Sequence, residues 1–149
     1  MVDPAQVFLD LDADSMADAL GEVAHRLAER AGVPERAVLE GLLDRERLGT
    51  TSVGGGFAIP HCKLVGIDTI RLGLARFNGG VEFDGANGDP IRFLFVVLSP
   101  PDQPAAHLQV LSQIARVLKR RELRDDLLQA STAGEVVDAI QRFAETEGL

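Results

Sequence analysis

The chain has 149 residues, 46% of them hydrophobic, and a formal net charge of −8. That length fits one domain with a core large enough to need no covalent staples. An acidic balance of this size repels phosphate backbones and excludes nucleic acid as a natural partner, so a small basic protein or a basic patch suits it better. The single cysteine excludes an intramolecular disulfide. With no Trp and no Tyr, the chain lacks the usual platform for stacking sugars or bases. Met1-Val2-Asp3-Pro4 shows no secretory pattern. No segment approaches the roughly 18 apolar residues of a membrane span. The expected location is the cytoplasm, without membrane insertion.

Ser15 reads as the cap of a helix running to about Ala31, with Met16, Ala19, Leu20, Val23, Leu27 and Ala31 at helical spacing. Gly32 is its stop signal. Pro34 opens a second helix with Val38, Leu39, Leu42 and Leu43 on its buried side, fraying near Arg47 and Leu48. A glycine loop follows, then a short strand over Phe57 to Ile59. Ile70 to Phe77 reads as another strand, closed by a turn at Asn78-Gly79-Gly80, with Val81 to Phe83 as an edge segment. Gly85 to Pro90 is a further turn. Ile91 to Leu98 is almost wholly apolar, the pattern of a central strand covered on both faces. Ser99-Pro100-Pro101-Asp102 ends it. A helix over Pro104 to Lys119 carries the stripe Leu108, Leu111, Ile114, Ala115 and Leu118. A short helix over Glu122 to Gln129 and a final one over Gly134 to Ala144, capped by Thr132, complete the chain. No internal repeat or low-complexity tract interrupts it. Helices at both ends and strands between them predict a single α/β sandwich, a mixed sheet with helices on both faces.

The segment Thr50-Thr51-Ser52-Val53-Gly54-Gly55-Gly56-Phe57-Ala58-Ile59-Pro60-His61-Cys62-Lys63 is the place to look for chemistry. Three glycines and a stiffening proline lead to one imidazole, presented on a loop. Histidine serves as base, metal ligand or nucleophile. A nucleophilic imidazole needs one free ring nitrogen, a hydrogen bond at the other, and cations to neutralise an incoming phosphoryl group. His107 falls in the first turns of its helix, where amides and dipole favour anions, and it shares a side with Leu111 and Ile114. A core histidine satisfied by a backbone carbonyl is the plainer reading of it. Arg45 and Arg47 end the second helix, where arginines ordinarily complement the dipole, and one of them could fold over the glycine loop. The glycines match neither nucleotide-binding fingerprint, which leaves a tight turn delivering a strand. His25, in mid-helix, reads as solvated. Cys62 points away from His61 in an extended segment, so neither a Cys–His pair nor a three-ligand metal site is well supported.

Gly56-Phe57-Ala58-Ile59-Pro60-His61 resembles the Gly-x-Ala-Ile/Val-Pro-His signature of fructose/mannitol-type enzyme IIA domains of the phosphoenolpyruvate-dependent phosphotransferase system, which include the nitrogen-regulatory IIA proteins. Arg45-Glu46 with Thr50-Thr51 is similar to the family's approach to that loop. Asp84, Pro90-Ile91, Leu94 to Leu98, Pro101 and His107-Leu108 extend the resemblance over nearly all of residues 1–149, read as one such domain. Cys62 stands where the family favours a glycine or another small residue.

The resemblance implies a phosphotransferase component that uses neither metal nor cofactor. His61 would accept a phosphoryl group from the phosphohistidine of HPr or its nitrogen-branch counterpart. His107 would stabilise that group and Arg45 would neutralise it, with Thr51, Gly56 and Lys63 as further pocket candidates. No IIB or IIC domain is read in the 149 residues, which favours a nitrogen-type regulator acting on target proteins. A sugar-specific IIA passing phosphate to a separate IIB is the alternative, and a binding module that is never phosphorylated is the alternative of another class.

Overall fold

A computed structural model describes residues 2–83 and 88–148. After a 3₁₀ turn at Pro4–Gln6, the elements in chain order are β1 (Val7–Leu11), α1 (Met16–Ala31), α2 (Glu35–Leu48), β2 (Ser52–Gly54), β3 (Phe57–Ala58), β4 (His61–Lys63), β5 (Arg71–Val81), β6 (Ile91–Ser99), α3 (Pro104–Val117), α4 (Arg121–Gln129) and α5 (Ala133–Thr146). The expected helices form where local signals place them. The Ser15 hydroxyl accepts the Asp18 amide hydrogen at 3.1 Å, and Gly32 ends α1 in the left-handed conformation, φ 71°. Thr132 caps α5 by accepting from the Glu135 amide.

The sheet runs β1-β5-β6-β3-β2, with β4 also on β6. β5 lies antiparallel to β6, while β3 and β4 lie parallel to it, one after the other along the same edge. β6 is therefore the central strand, and its side chains alternate between two cores. Leu94, Val96 and Leu98 meet Leu20, Val23, Leu27, Val38 and Leu42 from α1 and α2. Phe93, Phe95 and Val97 meet Ile114, Leu118, Leu123, Leu127, Val136 and Phe143 from α3 to α5. Helices cover both faces of one mixed sheet, as the sequence predicts. At Gly73 an added Cβ would stand 2.6 Å from Leu27, so α1 rests directly on the strand there. Arg76, 7% exposed, reaches under α4 and donates from Nη1 to the carbonyls of Leu127 at 3.0 Å and Ala130 at 2.7 Å, placing a cation at the helix C-terminus.

Several expectations are corrected. β1 was not expected; it pairs parallel to β5. The turn at Asn78-Gly79-Gly80 does not form, because β5 runs through to Val81. A register shift between Arg76 and Val81 absorbs the glycines, with Gly80 at φ 72°. The glycine loop is the bend of a β2–β3 hairpin. Leu108 does not join the α3 core stripe and is 66% exposed. α3 faces the sheet through His107, Ile114 and Val117 instead. Asp84 and part of the turn expected at Gly85 to Pro90 lie outside the described residues. No described helix is long and apolar enough to cross a membrane.

Candidate functional site

His61 opens β4 rather than sitting on a loop. β4 pairs with the C-terminal end of β6, His61 beside Val97 and Lys63 beside Ser99. Alternation along β4 turns Cys62 into the α1/α2 core, and His61 and Lys63 to the other side. Cys62 is buried against Gly41 of α2, where an added Cβ would come 2.8 Å from its sulfur. This close approach of α2 to β4 brings Arg45, one helical turn beyond Gly41, over the histidine.

Both His61 ring nitrogens are engaged. Nδ1 lies 2.7 Å from the Ile59 carbonyl oxygen, which can only accept, so Nδ1 carries the hydrogen. Nε2 accepts from Arg45 Nε at 3.2 Å, and Arg45 Nη1 donates to the Gly49 carbonyl at 2.8 Å. The ring is thus neutral, with its lone pair on Nε2. Burial pushes the imidazole below the ordinary histidine range. The Ile59 carbonyl opposes that shift, the Arg45 guanidinium adds to it, and the Glu46 carboxylate opposes it.

His107 stands across from His61, with ring centroids 5.3 Å apart and planes inclined by 55°. It is 5% exposed on the first turn of α3, and its Nδ1 lies 2.5 Å from the hydroxyl of fully buried Ser99. The carbonyl partner of the plainer core-histidine reading is replaced by this serine. Burial lowers the His107 basicity, and the charges of His61 and Lys63 lower it further.

The remaining candidates fall in different places. Lys63 is exposed on the same side of β4 as His61. Thr51 is buried behind the site, its hydroxyl and its amide both donating to the Glu46 carboxylate. The Thr51 carbonyl in turn accepts the Ile59 amide hydrogen at 3.0 Å, so Glu46 and Thr51 hold the segment whose next carbonyl fixes His61. Gly56 is not brought into the pocket. Its carbonyl accepts from Arg92 at 2.7 Å and Phe93 at 3.1 Å. Arg92 precedes Val97 by five strand residues, about 16 Å along β6. Arg47 pairs with Asp44, and His25 with Glu35, both at exposed positions. Cys62, with its thiol pushed up to about 12 by burial, faces neither histidine's pocket.

Sequence reasoning gave no role to Ser99 or to Glu46. Ser99 is the polar residue that ends an apolar strand run, a visible signal, but nothing local pairs it with a histidine eight residues later. Glu46 is visible only as a helix-end acid, although it is 4% exposed.

The family described as the phosphoenolpyruvate-dependent sugar phosphotransferase system, EIIA 2, matches residues 1–143. The chain belongs to this family. A nitrogen regulatory protein of Bradyrhizobium diazoefficiens is 37% identical over 140 residues, covering 94% of this chain and 92% of that protein. A fructose-specific EIIA component of Haloferax volcanii is 36% identical over 109 residues, 73% of this chain and 71% of that one. The solved nitrogen regulatory protein IIA-Ntr from Neisseria meningitidis superposes with a TM-score of 0.88 at 30% identity, covering 93% of this chain and 94% of its own. Membership in the EIIA 2 family makes the chain a IIA-type phosphotransferase-system domain.

Proposed function

We propose that this chain, read as one domain over residues 1–149, is a phosphohistidine carrier of the cytoplasm. It takes a phosphoryl group from HPr or a nitrogen-branch HPr onto Nε2 of His61 and works as a nitrogen-type regulator. The observation that carries this reading is the fixed tautomer of His61, with Nδ1–H on the Ile59 carbonyl and the Nε2 lone pair beside Arg45 and facing a second imidazole. Ring nitrogen Nε2 attacks phosphorus, the N–P bond of the donor histidine breaks, and the donor imidazole leaves with that electron pair. His61 keeps its Nδ1 hydrogen throughout, so no proton has to move on this side of the transfer.

Arg45 has two positions in this scheme. Before docking, its Nε–H covers the Nε2 lone pair. When phosphorus arrives, the guanidinium moves to the phosphoryl oxygens and neutralises their charge. His107 offers a second donor from across the pocket, and Lys63 adds positive charge at its rim. Thr51 and Glu46 act from behind, by holding Ile59. Apolar side chains flank these residues in the chain. Leu48 is 84% exposed, Val65 88% and Leu108 66%, each within three residues of Arg45, Lys63 or His107. Exposed apolar groups next to a charged pocket suit a docking protein better than a small soluble substrate.

Incubation with phosphoenolpyruvate, enzyme I and HPr or its nitrogen counterpart should give an acid-labile, alkali-stable phosphate that is lost in His61→Ala. Absence of label with every carrier, or label retained in His61→Ala, overturns the reading, and the first result returns the chain to a binding module. The likeness to a fructose-specific EIIA component supports a second reading, in which the phosphoryl group passes to a separate IIB. Rapid transfer from the labelled protein to a fructose-type IIB would favour it over the regulator.

A further inference from the structure

Ser99 is the last residue of β6 and is fully buried. Its carbonyl accepts the Leu64 amide hydrogen at 2.8 Å, which ties β4 to β6 behind the pocket. Among the described residues, its hydroxyl has one hydrogen-bond partner, His107 Nδ1, at 2.5 Å. A hydroxyl can donate or accept, and the two choices are unequal here. If Nδ1 carried the hydrogen and donated to Ser99, the serine hydrogen would be left in a buried place with no acceptor, which is disfavoured. If Ser99 donates, every hydrogen has a place: the serine hydrogen lies on Nδ1, and the ring hydrogen sits on Nε2, on the side of the ring away from Ser99.

We propose that Ser99 is a positioning residue that donates its hydroxyl hydrogen to His107 Nδ1 and thereby holds His107 as the neutral tautomer with Nε2–H as its free donor. The two histidines of the pocket are then set to opposite tautomers by different means. A backbone carbonyl places the hydrogen of His61 on Nδ1 and frees Nε2 as nucleophile. A serine hydroxyl places the hydrogen of His107 on Nε2 and makes it a donor.

The same bond opposes protonation of His107. An imidazolium would carry hydrogens on both nitrogens, and Nδ1–H would displace the serine hydrogen from its acceptor. The ionisable groups that face His107 from β4 are His61 and Lys63, and Arg45 of α2 reaches His61; none is anionic. They oppose the charged ring as well. A neutral donor suits a carrier. It steadies the phosphoryl oxygens during transfer yet does not hold them with a permanent positive charge when the group must leave. This consequence rests on the reading of His61 as the phosphoryl acceptor; the tautomer itself does not.

The test is ¹⁵N NMR of the histidine rings in the full chain. In the wild type, His107 should show a protonated Nε2 and an unprotonated, hydrogen-bonded Nδ1 at neutral pH. In Ser99→Ala the ring should populate both tautomers, and its titration midpoint should move up. Phosphoryl acceptance should fall about 3- to 10-fold, the effect expected for losing one hydrogen bond between neutral groups. Ser99→Thr, which keeps the hydroxyl, should restore the wild-type ring spectrum. A hydrogen on Nδ1 of His107 in the wild type overturns the proposal without needing any variant. So does a Ser99→Ala protein whose His107 tautomer and midpoint are unchanged. If the ring spectra come out as expected but His61 is never phosphorylated, the tautomer assignment stands and the phosphoryl-carrier reading fails.

Discussion

The segment between Thr50 and Lys63 has two ends that serve different purposes, though both lie along one edge of β6. At one end the hairpin glycines all take the left-handed backbone, and Gly56 is buried. Gly56 stands at φ 88° with the Pro90 carbonyl where a Cβ would come within 3.2 Å. Arg124 reaches over Gly55, donates to the Val53 carbonyl at 3.3 Å, and lies 5.3 Å above the Phe57 ring. At the other end His61 is partly open, and its ring is set by hydrogen bonds rather than by tight packing. The glycines do not stand beside the histidine. They close a hairpin about 16 Å away and start the backbone course that Pro60 delivers to β4. A motif can thus be one unit in sequence and two in space, with a packed turn at one end and a hydrogen-bonded imidazole at the other.

Substitutions should separate the two ends. The largest effect is expected at Arg45. Arg45→Ala removes the donor at Nε2 and, in the proposed transfer, the cation for the phosphoryl oxygens, and should slow phosphoryl acceptance about 100-fold or more, with a melting temperature close to wild type. Arg45→Lys should recover little, because a point charge does not replace a planar fork. A rate within a few-fold of wild type in Arg45→Ala would remove that residue from the chemistry.

Gly56→Ala should do the reverse. The left-handed backbone and the Pro90 carbonyl make it destabilising by about 1–3 kcal/mol, measured by urea denaturation, while acceptance per folded molecule stays unchanged. A loss of acceptance without a loss of stability would place Gly56 back in the pocket.

The pH dependence sharpens the histidine end. Only neutral His61 has the Nε2 lone pair, and burial holds its basicity below the ordinary value of about 6.5. Acceptance should therefore hold as pH drops through about 6.5 and fall only as pH passes the lower folded midpoint. The same shift has a stability consequence. The unfolded chain binds this proton more readily than the folded one, so the contribution from His61 is full above the unfolded value and declines as pH falls through it. An acceptance midpoint at or above about 6.5 in a titration of the initial rate would contradict this.

The smallest effect belongs to Cys62. Its thiol, pushed up to about 12 and packed on Gly41, should react slowly with a thiol reagent in the folded protein and quickly in urea. Cys62→Ala should leave acceptance unchanged, at a cost to stability of about 1 kcal/mol. Fast labelling of the folded chain, or loss of acceptance in Cys62→Ala, would return Cys62 to the site.

The residues that could be read from the chain alone are those whose signals are local. Ser15, Gly32 and Thr132 bound helices because capping uses amides within a few residues. The apolar run Ile91 to Leu98 announces a strand covered on both sides because alternation adds nothing when both faces are buried. His61, His107 and Arg45 stand out by residue type and by the family pattern around them, and the fold does draw these three together. The glycine run misled for the same reason. Adjacency in sequence suggested adjacency to His61, and only the register on β6 shows otherwise.

What the tertiary structure decided is non-local. β1 is a strand because β5, more than sixty residues on, offers it a parallel edge, and β4 is one because β6 passes beside it. Leu108 is exposed because α3 turns His107 to the sheet in its place. The hydrogen on His61 is assigned by a carbonyl two residues away that Thr51 holds in position, and the partner of His107 is a serine across the strand-to-helix turn. The sequence by itself names the helices, the central strand and the chemical groups. Pairing between distant segments, and with it the ring nitrogen that can act on each histidine, exists only once the sheet has closed, because hydrogen bonds of that kind depend on distance and direction rather than on order along the chain.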